Sequence, residues 1–137
     1  MGSQGWRQSA SSRGKAAELR FTQLVLEMGW DAATPCVEDQ PYDLLVHRGE
    51  SWEKVQIKRS YLKEGHPTVN LVRHDGCRYD ADDADWLAAV EVETGRVWFV
   101  PFGEVAQYQR KRITADMYEH ELSRTGGADD DETDDPG

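Results

Sequence analysis

Three polar side chains with complementary chemistry lie close together in the sequence: the carboxylate of Asp43, the amide of Gln56 and the ammonium group of Lys58. Carboxylate and amide oxygens beside a lysine suit a hard divalent cation that holds a phosphate and an attacking water. Gln56 and Lys58 are two positions apart, so on a strand their side chains share one face. The spacing therefore predicts a phosphate-directed metal site, provided that neighbouring strands bring Asp43 to the same place.

A β-hairpin is expected to bring these residues together. Residues 42–47 and 52–58 both alternate around apolar side chains, and the polar, glycine-containing stretch 48–51 between them is typical of a hairpin turn. In the second strand, Val55 and Ile57 alternate with the polar pair and are expected to enter the core. The candidate site therefore lies at one end of a hairpin.

The flanking elements are predicted from periodicity and turn residues. Residues 13–28 carry apolar side chains at helical spacing, with Ser12 as the candidate N-cap and Gly29 at the expected stop. Glu18 lies beside this apolar stripe, where it either reaches inward over the sheet or remains a solvated acid that stabilises the helix N-terminus. The other expected elements are strands over 30–37, 68–73, 86–92 and 97–100, a loop over 60–67, and short helices over 102–109 and 114–122.

The order Asp43…Gln56-Ile57-Lys58 resembles the Asp…(Glu/Gln)-x-Lys signature of the PD-(D/E)xK nuclease superfamily. Upstream, residues 14–18 (Gly-Lys-Ala-Ala-Glu) resemble the first-helix motif that supplies a further acidic residue in many members. The branch with Gln in the third position is the most similar; it includes small intron-encoded homing endonucleases and is related to archaeal-type Holliday junction resolvases. The resemblance covers residues 13–108, including a Tyr79…Asp85-Trp86…Pro101 run similar to the later strands of that branch.

This resemblance implies an α/β fold with a restriction-endonuclease-like core, in which a central mixed β-sheet of four to six strands is flanked by helices. The helix over 13–28 is expected on one face of the sheet and the later helices on the other. The implied domain spans residues 13–122, between a flexible N-terminal arm (1–12) and an acidic disordered tail (123–137).

The implied activity is that of a Mg²⁺-dependent (or Mn²⁺-dependent) endodeoxyribonuclease that hydrolyses phosphodiester bonds in DNA. Asp43, Gln56 and Glu18 would hold the metal, and Lys58 would position the attacking water and steady charge on the phosphate. Gln56 in place of the commoner glutamate makes the site one charge less negative. Such small nucleases commonly act as homodimers or homotetramers because cutting two strands needs two sites; the kind of DNA substrate stays open.

The charge balance is unusual for a nucleic-acid-binding protein, since the net charge is −10. Six of the 26 acids lie in residues 128–137, which contain no base; without that segment, 20 acids and 16 bases leave a net charge of −4. The candidate nucleic-acid-binding residues are basic side chains near the site and after the 102–109 helix: Lys54, Arg59, Lys63, Arg110, Lys111 and Arg112. The acidic balance favours an alternative, a non-catalytic nucleic-acid- or protein-binding module on a nuclease-like fold.

Other features limit the remaining classes of function. No run of about 18 apolar residues is present, and the N-terminal residues lack the apolar core of a signal peptide, so a cytoplasmic protein is expected. Cys36 and Cys77 are far apart and predict neither a zinc site nor a disulfide framework. The acidic segment 80–85 is a candidate calcium loop, but it lacks the Gly and the closing Glu of an EF-hand.

Overall fold

The structure is a computed structural model that describes residues 10–37, 40–71, 80–104, 112–115 and 121–122. The described residues include the long helix α1, eight strands, a short 3₁₀ helix over Ala81–Asp83 and helical residues at 102–104. The elements in chain order are α1 (Ala10–Glu27), β1 (Asp31–Ala33), β2 (Leu44–His47), β3 (Trp52–Arg59), β4 (Tyr61–Lys63), β5 (His66–Asn70), β6 (Trp86–Glu91), β7 (Arg96–Pro101) and β8 (Arg112–Thr114).

The central sheet has five strands in the order β1-β2-β3-β6-β7. β3 and β6 are parallel, whereas the other neighbouring pairs are antiparallel. The sheet is therefore mixed, which confirms the predicted α/β class. β3 lies in the middle of the order, with a strand on either side, and its residues 55–57 are all buried.

Helix α1 begins at Ala10, three residues before the predicted start at Arg13, so Ser12 lies within the helix and is not its N-cap. The end of the helix agrees with the prediction. Gly29 has a φ of +83°, a left-handed conformation that glycine adopts without strain. The N–H groups of Gly29 and Trp30 donate to the carbonyls of Leu26 and Val25, both at 3.0 Å, which is the Schellman arrangement of a helix C-terminus.

The first core cluster lies between α1 and the central sheet. Phe21 is fully buried, and its ring centroid lies 5.9 Å from that of Phe99 on β7. Val55 and Ile57 of β3 belong to this cluster, as their alternation predicts. Because they face α1, the polar residues between and beyond them, Gln56 and Lys58, must face the opposite side of the sheet.

A second, three-stranded sheet (β4-β5-β8) packs with that opposite side. The prediction of a loop over 60–67 is wrong, because β4 and the start of β5 form a hairpin there around Glu64 and Gly65, both with positive φ. The predicted helix over 114–122 is also wrong at its start, since Thr114 ends β8. Residues 102–104 are helical, as predicted, and the larger parts of both later helices fall on residues 105–109 and 116–120, outside the described residues. Among the described residues, the small sheet covers this face.

The β2–β3 hairpin is held by an arginine among aromatic rings. The Arg48 guanidinium lies 5.2, 5.0 and 5.3 Å from the ring centroids of Trp30, Trp86 and Phe99. Its Nε donates to Glu53 at 2.7 Å, and the Trp86 indole donates to the other oxygen of Glu53 at 3.0 Å. These contacts join the turn end of the hairpin to the core and fix how β2 lies beside β3.

Within the described ranges, no helix combines the length and the apolar character that crossing a membrane would require.

Candidate active site

Asp43 is fixed against β3 by three hydrogen bonds. Its backbone N–H donates to the carbonyl of Val55 at 2.8 Å, extending the β2–β3 ladder by one residue. Its carboxylate oxygen Oδ2 accepts from the backbone N–H of Ile57 and from Nε2 of Gln56, each at 2.8 Å. A carboxylate has about four acceptor positions, so two donors on one oxygen leave Asp43 with further acceptor capacity.

Gln56 is the buried partner of this carboxylate, with 7% of its surface exposed. Its Nε2 donates to Asp43 and, at 3.3 Å, to the carbonyl of Ile57. The amide nitrogen is therefore the atom turned towards Asp43, and the amide oxygen lies on the other branch of the side chain. A cation held by both Asp43 and Gln56 would bind that oxygen where it lies, or would bind after the Gln56 amide has rotated to exchange the positions of its nitrogen and oxygen.

Lys58 is two residues farther along β3 on the same face as Gln56 and is half-buried. Burial lowers the pKa of its ammonium group, and the charge of Asp43 opposes that shift. The two charges thus act on each other directly. A lysine with a lowered pKa beside a carboxylate is a common arrangement in sites that move protons or stabilise anions.

Glu18 approaches Asp43 from the helix side of the sheet. Both line a cleft of about 410 Å³ between α1 and the first three strands, together with Ile57. The Glu18 carboxylate is partly exposed and lies 3.5 Å from the ammonium group of Lys15. Of the four candidate catalytic residues, Asp43 and Gln56 are in contact, whereas Glu18 and Lys58 act on Asp43 through their charges.

The pKa of Asp43 is raised, chiefly by burial and further by the neighbouring Glu18 charge; the Ile57 N–H and Lys58 act in the opposite direction. Its negative charge is therefore under-compensated in the protein alone. A hard divalent cation would supply the missing positive charge, and carboxylate and amide oxygens are the donors that such a cation prefers. The residues present fit a magnesium or manganese ion.

Within the described residues, no three His, Cys, Asp or Glu side chains lie close enough together to hold a metal ion. The candidate donor set has only two acids, Glu18 and Asp43, because its third member is the amide of Gln56. This set also carries one negative charge fewer than a set of three carboxylates.

The raised pKa of Asp43 predicts how an asparagine variant behaves without metal. A carboxyl group whose pKa is higher in the folded state stabilises the fold when protonated, and that contribution is lost as pH rises through the folded pKa. The amide introduced by Asp43→Asn keeps an oxygen for the Ile57 N–H and carries no charge. In EDTA we expect the thermal unfolding midpoint of this variant to exceed the parent's by a few degrees at neutral pH.

This difference should shrink as pH is lowered, because the parent's carboxyl group is then protonated as well. Differential scanning calorimetry at several pH values measures it, with Asp31→Asn, an exposed aspartate on β1, as the control for loss of one charge. A parent that is the more stable protein at neutral pH in EDTA would contradict the under-compensated carboxylate.

The candidate nucleic-acid-binding residues have different surroundings. Lys54 donates to the carbonyl of Asp82 at 3.0 Å and so ties β3 to the 3₁₀ helix. Arg59 forms an ion pair with Glu93. Lys63 and Arg112 are exposed at positions on the small sheet, whereas Arg110 and Lys111 lie outside the described residues.

Sequence reasoning missed the groups that hold the site in place. The Ile57 N–H that binds Asp43 is a backbone donor, which no side-chain pattern signals. Asp85 exchanges two hydrogen bonds with the backbone of Lys54: its carboxylate accepts at 2.7 Å and its N–H donates at 2.8 Å. Asp83 accepts from the N–H of Asp80 at 2.8 Å. At least these two acids of the 80–85 segment therefore bind backbone groups.

The chain belongs to the PD-(D/E)XK endonuclease family, whose model matches residues 8–126. This match covers most of the chain and contains all of the candidate catalytic residues. It confirms the suspected superfamily.

The fold is also similar to that of a bacterial homing endonuclease, I-Ssp6803I, with a TM-score of 0.72 and 18% sequence identity. The alignment covers 95% of this chain and 100% of that one. At this identity the similarity establishes a shared restriction-endonuclease-like fold and does not by itself carry the activity across. No curated protein matches the sequence.

Proposed function

We propose that this protein is a metal-dependent endonuclease that hydrolyses phosphodiester bonds in DNA. The observation that carries the proposal is the contact between the Asp43 carboxylate and the Gln56 amide, with Lys58 on the same face of β3. A half-buried carboxylate and an amide in contact across neighbouring strands, with a lysine on the same face, agree with the family to which the chain belongs.

Asp43 and Gln56 would hold Mg²⁺ or Mn²⁺ through their oxygens, and Glu18 would add a donor directly or through water. The cation would supply Lewis-acid stabilisation of the phosphate and a more acidic bound water. Lys58 would orient the attacking water and stabilise negative charge on the phosphate oxygens. The Ile57 N–H keeps the Asp43 carboxylate in one orientation, so the donor set is ordered before the substrate arrives.

DNA is the proposed partner, because the family consists of endonucleases. Lys63, Arg112 and the basic residues Arg110 and Lys111 are the proposed contacts to its phosphate backbone. Cutting both strands requires two active centres, so we propose that the protein acts as a homodimer or homotetramer.

A second candidate function is supported by the direction of the Gln56 amide. With Nε2 bonded to Asp43, the amide gives this half-buried carboxylate a hydrogen-bond donor without any cation. A non-catalytic binding module on the same fold would keep this contact and would have no need for metal. Titration with metal separates the two functions.

Isothermal titration calorimetry of the parent with MnCl₂ tests the proposal, with Asp43→Asn as the comparison. We expect saturable binding by the parent and its loss in the variant. A cleavage screen over linear, nicked, branched and four-way-junction DNA, with and without Mn²⁺, then identifies the substrate. A parent that neither binds Mn²⁺ nor cleaves any of these DNAs would leave the binding module as the better account.

A further inference from the structure

A second cleft, of about 660 Å³, lies where β3 ends. It is lined by residues of the β3–β4 junction, β5 and the end of β6, among them Arg59, Ser60, Tyr61, Asn70, Glu91 and Glu93. On β3, Arg59 follows Ile57 on the same face, opposite to Lys58, and two strand residues span roughly 7 Å. Ile57 also lines the cleft that contains Asp43 and Glu18, so Arg59 lies about that far beyond that cleft along β3.

Two polar groups in this cleft are buried and have no hydrogen-bond partner in the described part of the chain: Nη1 of Arg59 and the hydroxyl of Ser60. Ser60 is 2% exposed, and its backbone N–H is already engaged with the carbonyl of Val90 at 2.8 Å. Buried polar groups in native proteins are almost always paired. Arg59 and Ser60 line the same cleft, and each has an unpaired polar group, which suits an anion that brings its own oxygens.

The other side of the Arg59 guanidinium is occupied. Its Nη2 donates to the carboxylate of Glu93, which follows β6 and is itself largely exposed, with 65% of its side-chain surface accessible. A carboxylate at the surface is a replaceable partner, because water solvates it readily once it leaves. A guanidinium freed from Glu93 could present both of its terminal nitrogens to a phosphate in the fork geometry that arginine favours.

We propose that Arg59 and Ser60 form a subsite for a DNA phosphate next to the scissile one, and that Glu93 occupies it in the absence of DNA. This inference rests on the proposed function, because it takes the Asp43 site to bind the scissile phosphate. Each DNA strand carries one phosphate per 3.4 Å of helix axis, so a group about 7 Å beyond Ile57, whose N–H binds Asp43, is within reach of a phosphate one or two nucleotides away. Arg59 is then a substrate-positioning residue, and Glu93 competes with the DNA backbone for it.

Fluorescence anisotropy with a short labelled random-sequence duplex in EDTA tests this subsite, with every variant made in the Asp43→Asn background so that no cleavage occurs. We expect Arg59→Gln to weaken binding about tenfold or more. It should also reduce the slope of log affinity against log salt by about 0.9, the value for one phosphate contact. Ser60→Ala should weaken binding about threefold and leave that slope unchanged.

Glu93→Gln should strengthen binding, because it releases Arg59. Glu50→Gln removes the same charge in the β2–β3 turn and is its control. Arg96→Gln, whose guanidinium already makes two hydrogen bonds to Glu121 at 3.0 and 2.8 Å, is the control for Arg59→Gln. The subsite is supported when each variant changes affinity more than its control.

Equal effects of Arg59→Gln and Arg96→Gln, or of Glu93→Gln and Glu50→Gln, would overturn the subsite while leaving the endonuclease proposal in place. A background protein that binds neither this duplex nor nicked, branched or four-way-junction DNA would overturn both. Calorimetry establishes that each variant is folded; if Arg59→Gln is not, the Ser60→Ala and Glu93→Gln comparisons decide the question.

Discussion

Replacing Asp43 by asparagine is expected to lower the rate of Mn²⁺-dependent DNA cleavage by roughly a thousandfold, since a metal site supplies several kcal/mol of transition-state stabilisation. The substitution keeps the acceptor for the Ile57 N–H but removes the charge that would attract the cation. It also removes the group whose pKa shows that its charge is under-compensated. The loss should therefore occur in a protein that is folded and, without metal, at least as stable as the parent.

A plasmid nicking assay over a range of MnCl₂ concentrations measures this effect. Higher metal concentration should restore little activity, because asparagine does not replace the lost charge. Glu50→Gln, in the turn of the β2–β3 hairpin, provides a variant of equal net charge that should cleave at the parent's rate. Nicking by Asp43→Asn at that same rate would remove Asp43 from the proposed mechanism.

Replacing Lys58 by methionine is expected to reduce cleavage by about a hundredfold to a thousandfold, the range found when one group that stabilises transition-state charge is removed. The methionine side chain has a similar length and can occupy the half-buried position, so the fold should persist. In contrast to Asp43→Asn, this variant should still bind Mn²⁺. Removing a positive charge beside Asp43 should, if anything, strengthen that binding.

Paired measurements of cleavage and of Mn²⁺ binding by calorimetry separate the two roles. Lys58→Arg adds a further comparison: a guanidinium keeps the charge but cannot release a proton in the accessible pH range. Partial activity of this variant would match a lysine that acts by its charge. Loss of Mn²⁺ binding in Lys58→Met, with the fold retained, would show that Lys58 supports the metal site and would contradict its assignment to the phosphate and the water.

The local parts of the fold could be predicted because they depend on neighbouring residues. Alternation in 52–58 placed Val55 and Ile57 in the core and Gln56 and Lys58 on the other face, as the structure has them. Gly29 predicted the end of α1 because a helix often ends at a residue with left-handed φ, and glycine adopts that conformation without strain. The resemblance to the nuclease superfamily then supplied the order of elements.

The parts that depend on distant contacts could not be predicted in the same way. The 60–67 segment is rich in polar residues and contains Gly65 and Pro67, which signal a loop, yet it pairs as β4 and β5 because β8 supplies a third strand. The start of α1 before Arg13 was not predicted, because the Gly/Ser/Gln-rich composition of residues 1–12 is typical of a mobile arm. The hydrogen bond to Asp43 on the neighbouring strand determines which atom of the Gln56 amide faces the carboxylate, and a sequence pattern does not predict this orientation.

The fold holds the Asp43 carboxylate in a place where its charged form is less favourable than in water. Asp43 is half-buried near the acid Glu18, and these two influences raise its pKa despite the Ile57 N–H and Lys58. Arg48 and Asp85 hold the two ends of this region by contacts that involve neither Asp43 nor Gln56. Such support lets the hairpin keep a carboxylate in place for a cation and a substrate.

The most direct measurement is anomalous diffraction from a crystal of the parent soaked in MnCl₂. We predict one anomalous peak within about 2.0–2.3 Å of a carboxylate oxygen of Asp43 and of the amide oxygen of Gln56. We also predict that this peak is absent from Asp43→Asn crystals treated in the same way. An Mn²⁺ peak at another position in the parent, with the hydrogen bonds of Asp43 and Gln56 unchanged, would contradict a metal-dependent active centre at this hairpin.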